Sequence, residues 1–332
     1  MPSQKTRLAA IALLMLNASL DPVHAAPRQN PQLSSTIQTG SIQVGDLNRT
    51  FLYHVPKLLQ ANPPLVFVFH AGNIDAEQMR AITGYEFERL AEMNGFIVVY
   101  PNGFEKSWND CRQRAPYPAN LKQVDDPVFV RALIRHLRAE FGVDSSRVFA
   151  MGFSNGAHLA YRLALEMPDE IAAIAAIGAN LPTEDNCDCF HSQRPLAVMI
   201  VNGDQDRINP YAGGMVTLPS GDHLGAVRSA LETADDFRRL AGHEVEPVAH
   251  RYPDGDGNAE TWVERLTWDG AGLPEVSLLT VHGGGHTIAQ TKFQFPEIYG
   301  ATNADLNSLE EIWNFFARQM QKRRVEGSSV RR

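Results

Sequence analysis

The chain has 332 residues, of which 44% are hydrophobic and 20% charged, and its formal net charge at pH 7 is −8. This acidic balance argues against nucleic acid or an anionic membrane surface as a partner. Neither a Ser/Thr/Pro-rich linker nor a repeated module divides the sequence. The length is therefore compatible with one α/β domain.

The amino terminus has the pattern of a signal peptide, predicted over residues 1–25. Lys5 and Arg7 form a short basic region before a mostly apolar run, and Val23 and Ala25 are small residues before the cleavage point. The apolar run is too short to span a bilayer, and no other segment approaches the ~20 apolar residues of a transmembrane helix. We therefore expect a secreted or periplasmic protein without a transmembrane segment, cleaved after Ala25.

Three further segments are expected in the mature chain. Residues 26–40 are polar and contain proline, so a loose segment is predicted there. Residues 41–322 are predicted to form the folded α/β domain, and residues 323–332 a basic tail.

Three cysteines are present, at Cys111, Cys187 and Cys189. An exported chain is expected to contain a disulfide, and an odd count leaves one thiol over. Cys187 and Cys189 are too close in sequence to pair comfortably with each other. A bond from Cys111 to one of these two is therefore predicted.

Two segments resemble metal sites without matching them. Cys187, Cys189 and His191 have a spacing that fits no standard zinc site. Asp254-Gly-Asp-Gly-Asn258 resembles the start of a calcium loop, but Ala259 and Arg265 stand where such a loop needs glycine and a bidentate acid. We predict a turn at residues 254–258, no metal site and no cofactor.

Strands and helices alternate along the chain. Apolar runs bounded by turn residues predict strands, and apolar residues spaced by three or four predict helices. The predicted strands are a hairpin of 41–44 and 50–55, then 65–69, 96–100, 148–151, 171–177, 196–201, 261–268 and 276–281. The predicted helices are 77–93, one from Asp125 or Asp126 to Gly142, one after Gly156, then 225–240 and 308–321, while 104–122 has no regular pattern. This order predicts an α/β fold in one domain, with a mainly parallel sheet covered by helices on both faces. Ligands of such sheets bind beyond the carboxyl ends of the strands.

Gly152-Phe-Ser-Asn-Gly156 lies between a predicted strand and a predicted helix. Strand, G-x-S-x-G and helix are the arrangement of a nucleophile elbow, although the bare motif also occurs by chance in glycine-containing turns. The elbow predicts Ser154 as a nucleophile and the Asn155 N–H, at a helix N-terminus, as an oxyanion donor. A second donor is expected from the loop after an early strand, at Ala71 or Gly72.

A serine nucleophile needs a base, and the base needs an acid to orient it. In this fold class the acid and then the histidine follow the serine in sequence. His286 is predicted as the base because it follows three glycines, whereas His282 is still within the last strand. Asp206 is predicted as the acid because it sits further into its loop than Asp204, for which the alternative role is capping a turn.

Several motifs together resemble one family. They are His70-Ala-Gly-Asn73, Tyr100-Pro-Asn-Gly103, Ser107-Trp-Asn-Asp110, Asp125-Asp126, Gly152-Phe-Ser-Asn-Gly156, Gly203-x-x-Asp206, Pro210-Tyr-Ala-Gly-Gly214, Gly283-Gly-Gly-His-Thr287 and Ile312-Trp-Asn-Phe-Phe316. Over about residues 50–318 the chain resembles the secreted esterases that group polyhydroxybutyrate depolymerase-like proteins with feruloyl and acetylxylan esterases, on the α/β-hydrolase fold.

The resemblance implies the same triad, Ser154, Asp206 and His286. It also implies a substrate pocket that includes His70, Trp108 and Tyr211. The substrate it implies is a hydroxyalkanoate, hydroxycinnamoyl or acetyl ester.

The chain departs from the family pattern at two places. Ala71 replaces a glycine of the oxyanion loop, and Ile288-Ala289 replaces a Trp-Pro pair that commonly follows the histidine. The sequence as a whole predicts a serine carboxylic-ester hydrolase that acts through an acyl-enzyme. The alternatives are an acyltransferase or peptidase on the same fold, and a binding protein without catalytic activity.

Overall fold

The computed structural model describes residues 37–329, and of residues 323–329 it describes the backbone alone. The predicted signal peptide, its cleavage after Ala25 and residues 26–36 lie outside the described residues. The rest of the predicted loose segment is wrong, because a strand begins at Gln38. This segment is ordered because it pairs along its whole length with the next strand.

Twelve strands form among the described residues, and ten of them make one sheet. The strands are β1 (Gln38–Val44), β2 (Leu47–His54), β3 (Leu65–Phe69), β4 (Ile97–Pro101), β5 (Val148–Phe153), β6 (Ala173–Ile177), β7 (Ala197–Gly203), β8 (Gly214–Thr217), β9 (His223–Val227), β10 (Val248–Arg251), β11 (Trp262–Trp268) and β12 (Val276–His282). The sheet order is β1-β2-β4-β3-β5-β6-β7-β12-β11-β10, while β8 and β9 form a separate hairpin. The six strands at the centre of this order, β4-β3-β5-β6-β7-β12, run parallel, and antiparallel strands flank them on both sides.

The helices of the described residues lie on both faces of the sheet. They are α1 (Ala76–Ile82), α2 (Glu86–Asn94), α3 (Pro118–Leu121), α4 (Asp126–Phe141), α5 (Asn155–Glu166), α6 (Ala230–Ala241) and α7 (Ser308–Ser329). Alternating residues of each central strand face two separate cores: Phe67 and Phe69 point toward α4, α5 and α6, while Val66 and Val68 point toward α1, α2 and α7. The predicted α/β fold, with a mainly parallel sheet covered on both faces, is therefore confirmed.

Two predicted helices are wrong in extent. The segment 77–93 is two helices, because Gly84 and Tyr85 adopt left-handed conformations, with φ of 60° and 56°. The segment 225–240 begins as strand β9, and α6 starts only after Ser229. The side chain of Ser229 accepts the Glu232 N–H in a capping box, a start signal that the periodicity alone did not reveal.

Other elements were not predicted. The short strands β8 and β10 and the single-turn helix α3 lack enough residues to show a period. The predicted helix 308–321 is too short, because α7 continues through residue 329 and so into the predicted basic tail at 323–332. Within residues 37–329, no helix is both long enough and apolar enough to cross a membrane.

Candidate active site

Ser154 lies at the sharp turn between β5 and α5. Its backbone has φ of 55° and ψ of −116°, a conformation that L-residues rarely adopt. The Ser154 N–H donates to the Ile177 carbonyl at 2.9 Å, and the Ser154 carbonyl accepts the N–H groups of Ala157 and His158. The strain is thus held by hydrogen bonds on both sides of the turn.

The two glycines of the G-x-S-x-G motif are required by close packing. A Cβ atom on Gly152 would lie 2.1 Å from the Gly156 carbonyl oxygen. A Cβ atom on Gly156 would lie 2.4 Å from the Phe69 oxygen and 2.6 Å from the His70 oxygen. The N-terminus of α5 therefore packs directly against the end of β3, where the predicted oxyanion loop begins.

Asp206 and His286 lie together at the same edge of the sheet. The Nδ1 atom of His286 is 2.7 Å from Oδ2 of Asp206, and both side chains are almost fully buried. The other carboxylate oxygen of Asp206 accepts the N–H groups of Ile208 and Asn209, each at 2.8 Å. Since the carboxylate faces Nδ1, the hydrogen bond assigns the proton to Nδ1 and leaves Nε2 with its lone pair.

The imidazole of His286 is close to the serine turn. A Cβ atom on Gly178 would lie 3.0 Å from Cε1 of His286, and the ring of Phe153, next to Ser154, has its centroid 5.0 Å from that of His286. Among the described residues, no hydrogen bond joins Ser154 Oγ to His286 Nε2. Such hydrogen bonds are often long in free enzymes and tighten when substrate binds.

The predicted oxyanion loop is fixed by its neighbours. The Nε2 atom of His70 accepts the Gly103 N–H at 2.9 Å, so Nδ1 carries the proton and donates to the Ala71 carbonyl at 2.7 Å. The ring of Tyr117 packs so closely on Gly72 that a Cβ atom there would lie 2.8 Å from it. Ala71 and Gly72 themselves are half-exposed.

His70 and Trp108 do not line an open pocket. Both side chains are completely buried. The indole N–H of Trp108 donates to the His70 carbonyl at 2.9 Å, and the two rings lie 4.7 Å apart. The predicted pocket role is therefore corrected for these two residues, which instead pack behind the predicted oxyanion loop. The sequence could not reveal this because an aromatic residue in an irregular loop has no period to indicate its burial.

Tyr211 is half-buried. This exposure is compatible with a pocket residue, and its predicted place in the substrate pocket stays a prediction. Its hydroxyl hydrogen-bonds the Thr280 hydroxyl at 2.8 Å. Nearby Asn209 was not predicted: it is 2% exposed, and neither atom of its amide has a partner among the described residues.

The side chain of Asn155 has a role that the motif did not indicate. Its Oδ1 accepts the Trp108 N–H at 2.8 Å, and its Nδ2 donates to Oδ2 of Asp110 at 2.7 Å. Asp110 in turn pairs with the buried guanidinium of Arg112. Burial is the largest single effect and acts to raise the pKa of Asp110, but the charges of Arg112 and His158 and the hydrogen bonds from Arg112 together outweigh it and hold this pKa below its usual value. This buried network fixes the loop 104–122 to the first turn of α5.

The predicted disulfide is confirmed, and it joins Cys111 to Cys189. It links the loop 104–122 to the segment after β6. Cys187 is the free cysteine, half-buried, with its sulfur 3.6 Å from Nε2 of His191. Cys187 also lines a cavity of about 210 Å³ beside α6, to which we assign no chemistry.

The predicted turn at residues 254–258 brings acidic groups together. Carboxylate oxygens of Asp254, Asp256 and Asp305 all lie within 4.8 Å of one another. Asp305 could not be foreseen, because it comes from the segment before α7. Two of the three residues are exposed, and backbone N–H groups already donate to all three. We assign no metal site here.

The fold agrees with what comparisons with known proteins find. The profile of the Phospholipase/Carboxylesterase family matches residues 100–226, a stretch that includes Ser154 and Asp206 but ends before His286. "Putative esterase NocK" of Nocardia uniformis subsp. tsuyamanensis is 28% identical over 304 residues, covering 86% of this chain and 84% of that protein. "Probable feruloyl esterase C" of Aspergillus niger is 26% identical over 289 residues, covering 84% of this chain and 91% of that protein.

A solved structure shares the fold. The acetyl xylan esterase from Aspergillus awamori superposes with a TM-score of 0.52 at 18% sequence identity, covering 76% of this chain and 94% of that one. The chain has the α/β-hydrolase fold, and over most of its length it is similar to proteins named as esterases.

Proposed function

We propose that the protein is a secreted serine carboxylesterase, in which Ser154 is the nucleophile, His286 the general base and Asp206 the acid that orients it. The observation that carries this proposal is the 2.7 Å hydrogen bond between Asp206 and His286, at the edge of the sheet where Ser154 holds its strained backbone. Secretion is supported by the signal-like amino terminus and by the Cys111–Cys189 disulfide.

In the proposed reaction, Nε2 of His286 takes the proton of the Ser154 hydroxyl as Oγ attacks the ester carbonyl. The tetrahedral intermediate collapses, and the same Nε2 gives that proton to the departing alcohol. Water then attacks the acyl-enzyme, again with His286 as base, and releases the carboxylic acid. Asp206 stays ionised throughout and stabilises the imidazolium.

The developing oxyanion needs donors that already point at it. The N–H of Asn155 is one of the first amides of α5, which have no acceptor within the helix. The loop of Ala71 and Gly72 adjoins it, because the first turn of α5 packs on the carbonyls of residues 69 and 70. We assign the second donor to one of these two amides.

The substrate class we propose is an ester of a short or aromatic acyl group. Hydroxycinnamoyl and acetyl esters are supported by the names of the relatives, and hydroxyalkanoate esters by the motifs shared with polyhydroxybutyrate depolymerase-like proteins. A panel of p-nitrophenyl acetate, methyl ferulate, a 3-hydroxybutyrate ester and peptide anilides would rank these classes. Hydrolysis of the anilides in preference to all the esters would contradict the proposal.

Ser154→Ala should lower kcat for the best ester by about 10⁶ while leaving the circular dichroism spectrum unchanged. Ser220→Ala is the matched control, because Ser220 lies exposed in the turn between β8 and β9. A purified Ser154→Ala protein that keeps a few per cent of the activity would rule out Ser154 as the nucleophile.

A further inference from the structure

A second Asp–His pair precedes the proposed catalytic pair. Oδ2 of Asp204 lies 2.9 Å from Nδ1 of His282, and Oδ1 of Asp204 accepts the Gly283 N–H at 2.8 Å. Asp204 directly follows β7, and His282 is the last residue of β12, the strand that pairs with β7 in parallel. We call Asp204 and His282 the outer pair. Both oxygens of its carboxylate thus hold the point where the loop carrying His286 begins.

The ring of His282 has little freedom to turn. It stacks on Trp262 with centroids 3.7 Å apart and planes 18° apart, and Trp262 is its cross-strand neighbour on β11. The Arg251 guanidinium lies 4.2 Å from the centroid of the same indole ring. Oε2 of Glu264 lies 3.9 Å from Nε2 of His282, so carboxylates face both nitrogens of this ring. These contacts fix the orientation of the His282 ring, so that its Nδ1–H can donate to the Asp204 carboxylate.

The two loops stay in contact from the outer pair to the catalytic pair. The Asp204 N–H donates to the Val281 carbonyl at 3.0 Å, and the Gln205 N–H donates to the Gly284 carbonyl at 2.9 Å. A Cβ atom on Gly203 would lie 2.2 Å from the Gly284 oxygen, so the backbones approach as closely as two glycines permit. These contacts join the outer pair to Asp206 and His286, which lie two and four residues further along their loops.

The turn after His282 adds a reason for an anchor at this place. Gly283 has φ of 71°, and a Cβ atom on it would lie 2.2 Å from the Glu260 oxygen. Three consecutive glycines have the largest conformational freedom of any tripeptide, so the loop depends on outside contacts for a single geometry. On the His286 side, the segment 299–301 supplies such contacts through the Gly285 and His286 N–H groups. On the β12 side, Asp204 supplies such contacts through His282 Nδ1 and the Gly283 N–H.

We propose that Asp204 and His282 are positioning residues that set the distance between the Asp206 carboxylate and the His286 imidazole. This inference rests on the proposed triad. It differs from a turn-capping role for Asp204, because a cap would stabilise the loop without controlling the geometry of another pair.

Proton NMR tests the geometry without any hydrolysis. The Nδ1 protons of His282 and His286, each facing a carboxylate, should resonate far downfield, and loss of a signal in His282→Ala or His286→Ala assigns it. Asp204→Ala should remove the His282 resonance and move that of His286 upfield, because its bond to Asp206 lengthens. A His286 resonance unchanged in position and width would overturn the proposal. A protein that hydrolyses no ester but behaves as predicted in this experiment would refute the proposed function and leave the positioning role intact.

Kinetics tests the consequence. Active sites are counted with a fluorophosphonate, so that a smaller folded fraction is not mistaken for slower chemistry. Per active site, Asp204→Ala should lower kcat about 10- to 100-fold with little change in KM, since small misplacements of catalytic groups have effects of this size. His282→Asn should recover most of the rate lost in His282→Ala, because the asparagine amide can donate from the position of Nδ1. His223→Ala, at an exposed position at the start of β9, is the control and should have the wild-type kcat.

A wild-type kcat per active site in both Asp204→Ala and His282→Ala would overturn the proposal, and so would a failure of His282→Asn to recover activity. If Asp204→Ala does not fold, Asp204→Asn replaces it. Its amide keeps an acceptor for the Gly283 N–H but loses the charge, and the same upfield shift and loss of kcat are expected in smaller measure.

Discussion

Replacing His70 with glutamine should reduce the amount by which the unfolding free energy falls between pH 7 and pH 4.5. His70 is neutral in the folded protein because both ring nitrogens are occupied, Nε2 by the Gly103 N–H and Nδ1–H by the Ala71 carbonyl. Burial lowers its pKa from 6.5 to about 4, against the smaller opposing effect of the Ala71 carbonyl. Protonation would place a second N–H against the Gly103 N–H and release the loop of Ala71 and Gly72.

The sign and size follow from linkage. Between about pH 6.5 and pH 4 the unfolded chain binds a proton at His70 that the folded protein does not bind. The stability from neutral His70 is thus complete above pH 6.5 and is lost as the pH falls toward 4. With a shift from 6.5 to about 4, the loss between pH 7 and pH 4.5 is about 2.5 kcal/mol.

Urea unfolding at the two pH values measures this loss. The difference in unfolding free energy between pH 7 and pH 4.5 should be about 2.5 kcal/mol smaller in His70→Gln than in the wild type, whatever the variant loses at both pH values together. His250→Gln is the control, since His250 is exposed on β10, and it should keep the wild-type difference. Equal differences in wild type and His70→Gln would show that His70 does not carry this pH dependence.

Three further predictions concern the triad, the elbow and the disulfide. Asp206→Asn should lower kcat on p-nitrophenyl acetate about 10⁴-fold, because an amide facing Nδ1 of His286 favours the wrong tautomer. Asp204→Asn should lower kcat far less, and the reverse order, measured at pH 8, would show that the acid is Asp204. Gly156→Ala should lower the unfolding free energy by about 3 kcal/mol or prevent folding, because its Cβ would lie 2.4 Å from a backbone oxygen. Gly45→Ala, with open space around it and φ of 56°, should lose about 1–2 kcal/mol. Similar urea midpoints for the two variants would contradict the packing argument. Replacing Cys111 and Cys189 together by alanine should lower the unfolding free energy by about 4 kcal/mol, as expected for a link between residues 78 apart in sequence. Cys187→Ala should leave the melting temperature nearly unchanged, and equal effects of the two changes would mean that the bond does not form in the exported protein.

Much of the fold could be predicted from the sequence because its central strands are continuous apolar runs. A parallel strand buried on both faces needs such a run, and β3, β5, β6 and β7 show it over most or all of their length. Elements without that constraint were harder to predict. The break at Gly84 and Tyr85 depends on two left-handed residues, and β9 depends on its pairing with β8 rather than on a pattern of its own.

The sequence by itself determined the composition of the candidate site: an elbow serine flanked by glycines that close packing requires, and acids and histidines placed after later strands. Local spacing suffices for this, because the ends of parallel strands meet at one edge of the sheet. The sequence favoured Asp206 over Asp204 and His286 over His282 from their places in the loops, but only the tertiary structure decided how the residues pair, with Asp206 on His286 and Asp204 on His282. It also decided that His70 and Trp108 lie behind the predicted oxyanion loop rather than in a pocket, because burial in an irregular loop depends on what packs over it from distant parts of the chain.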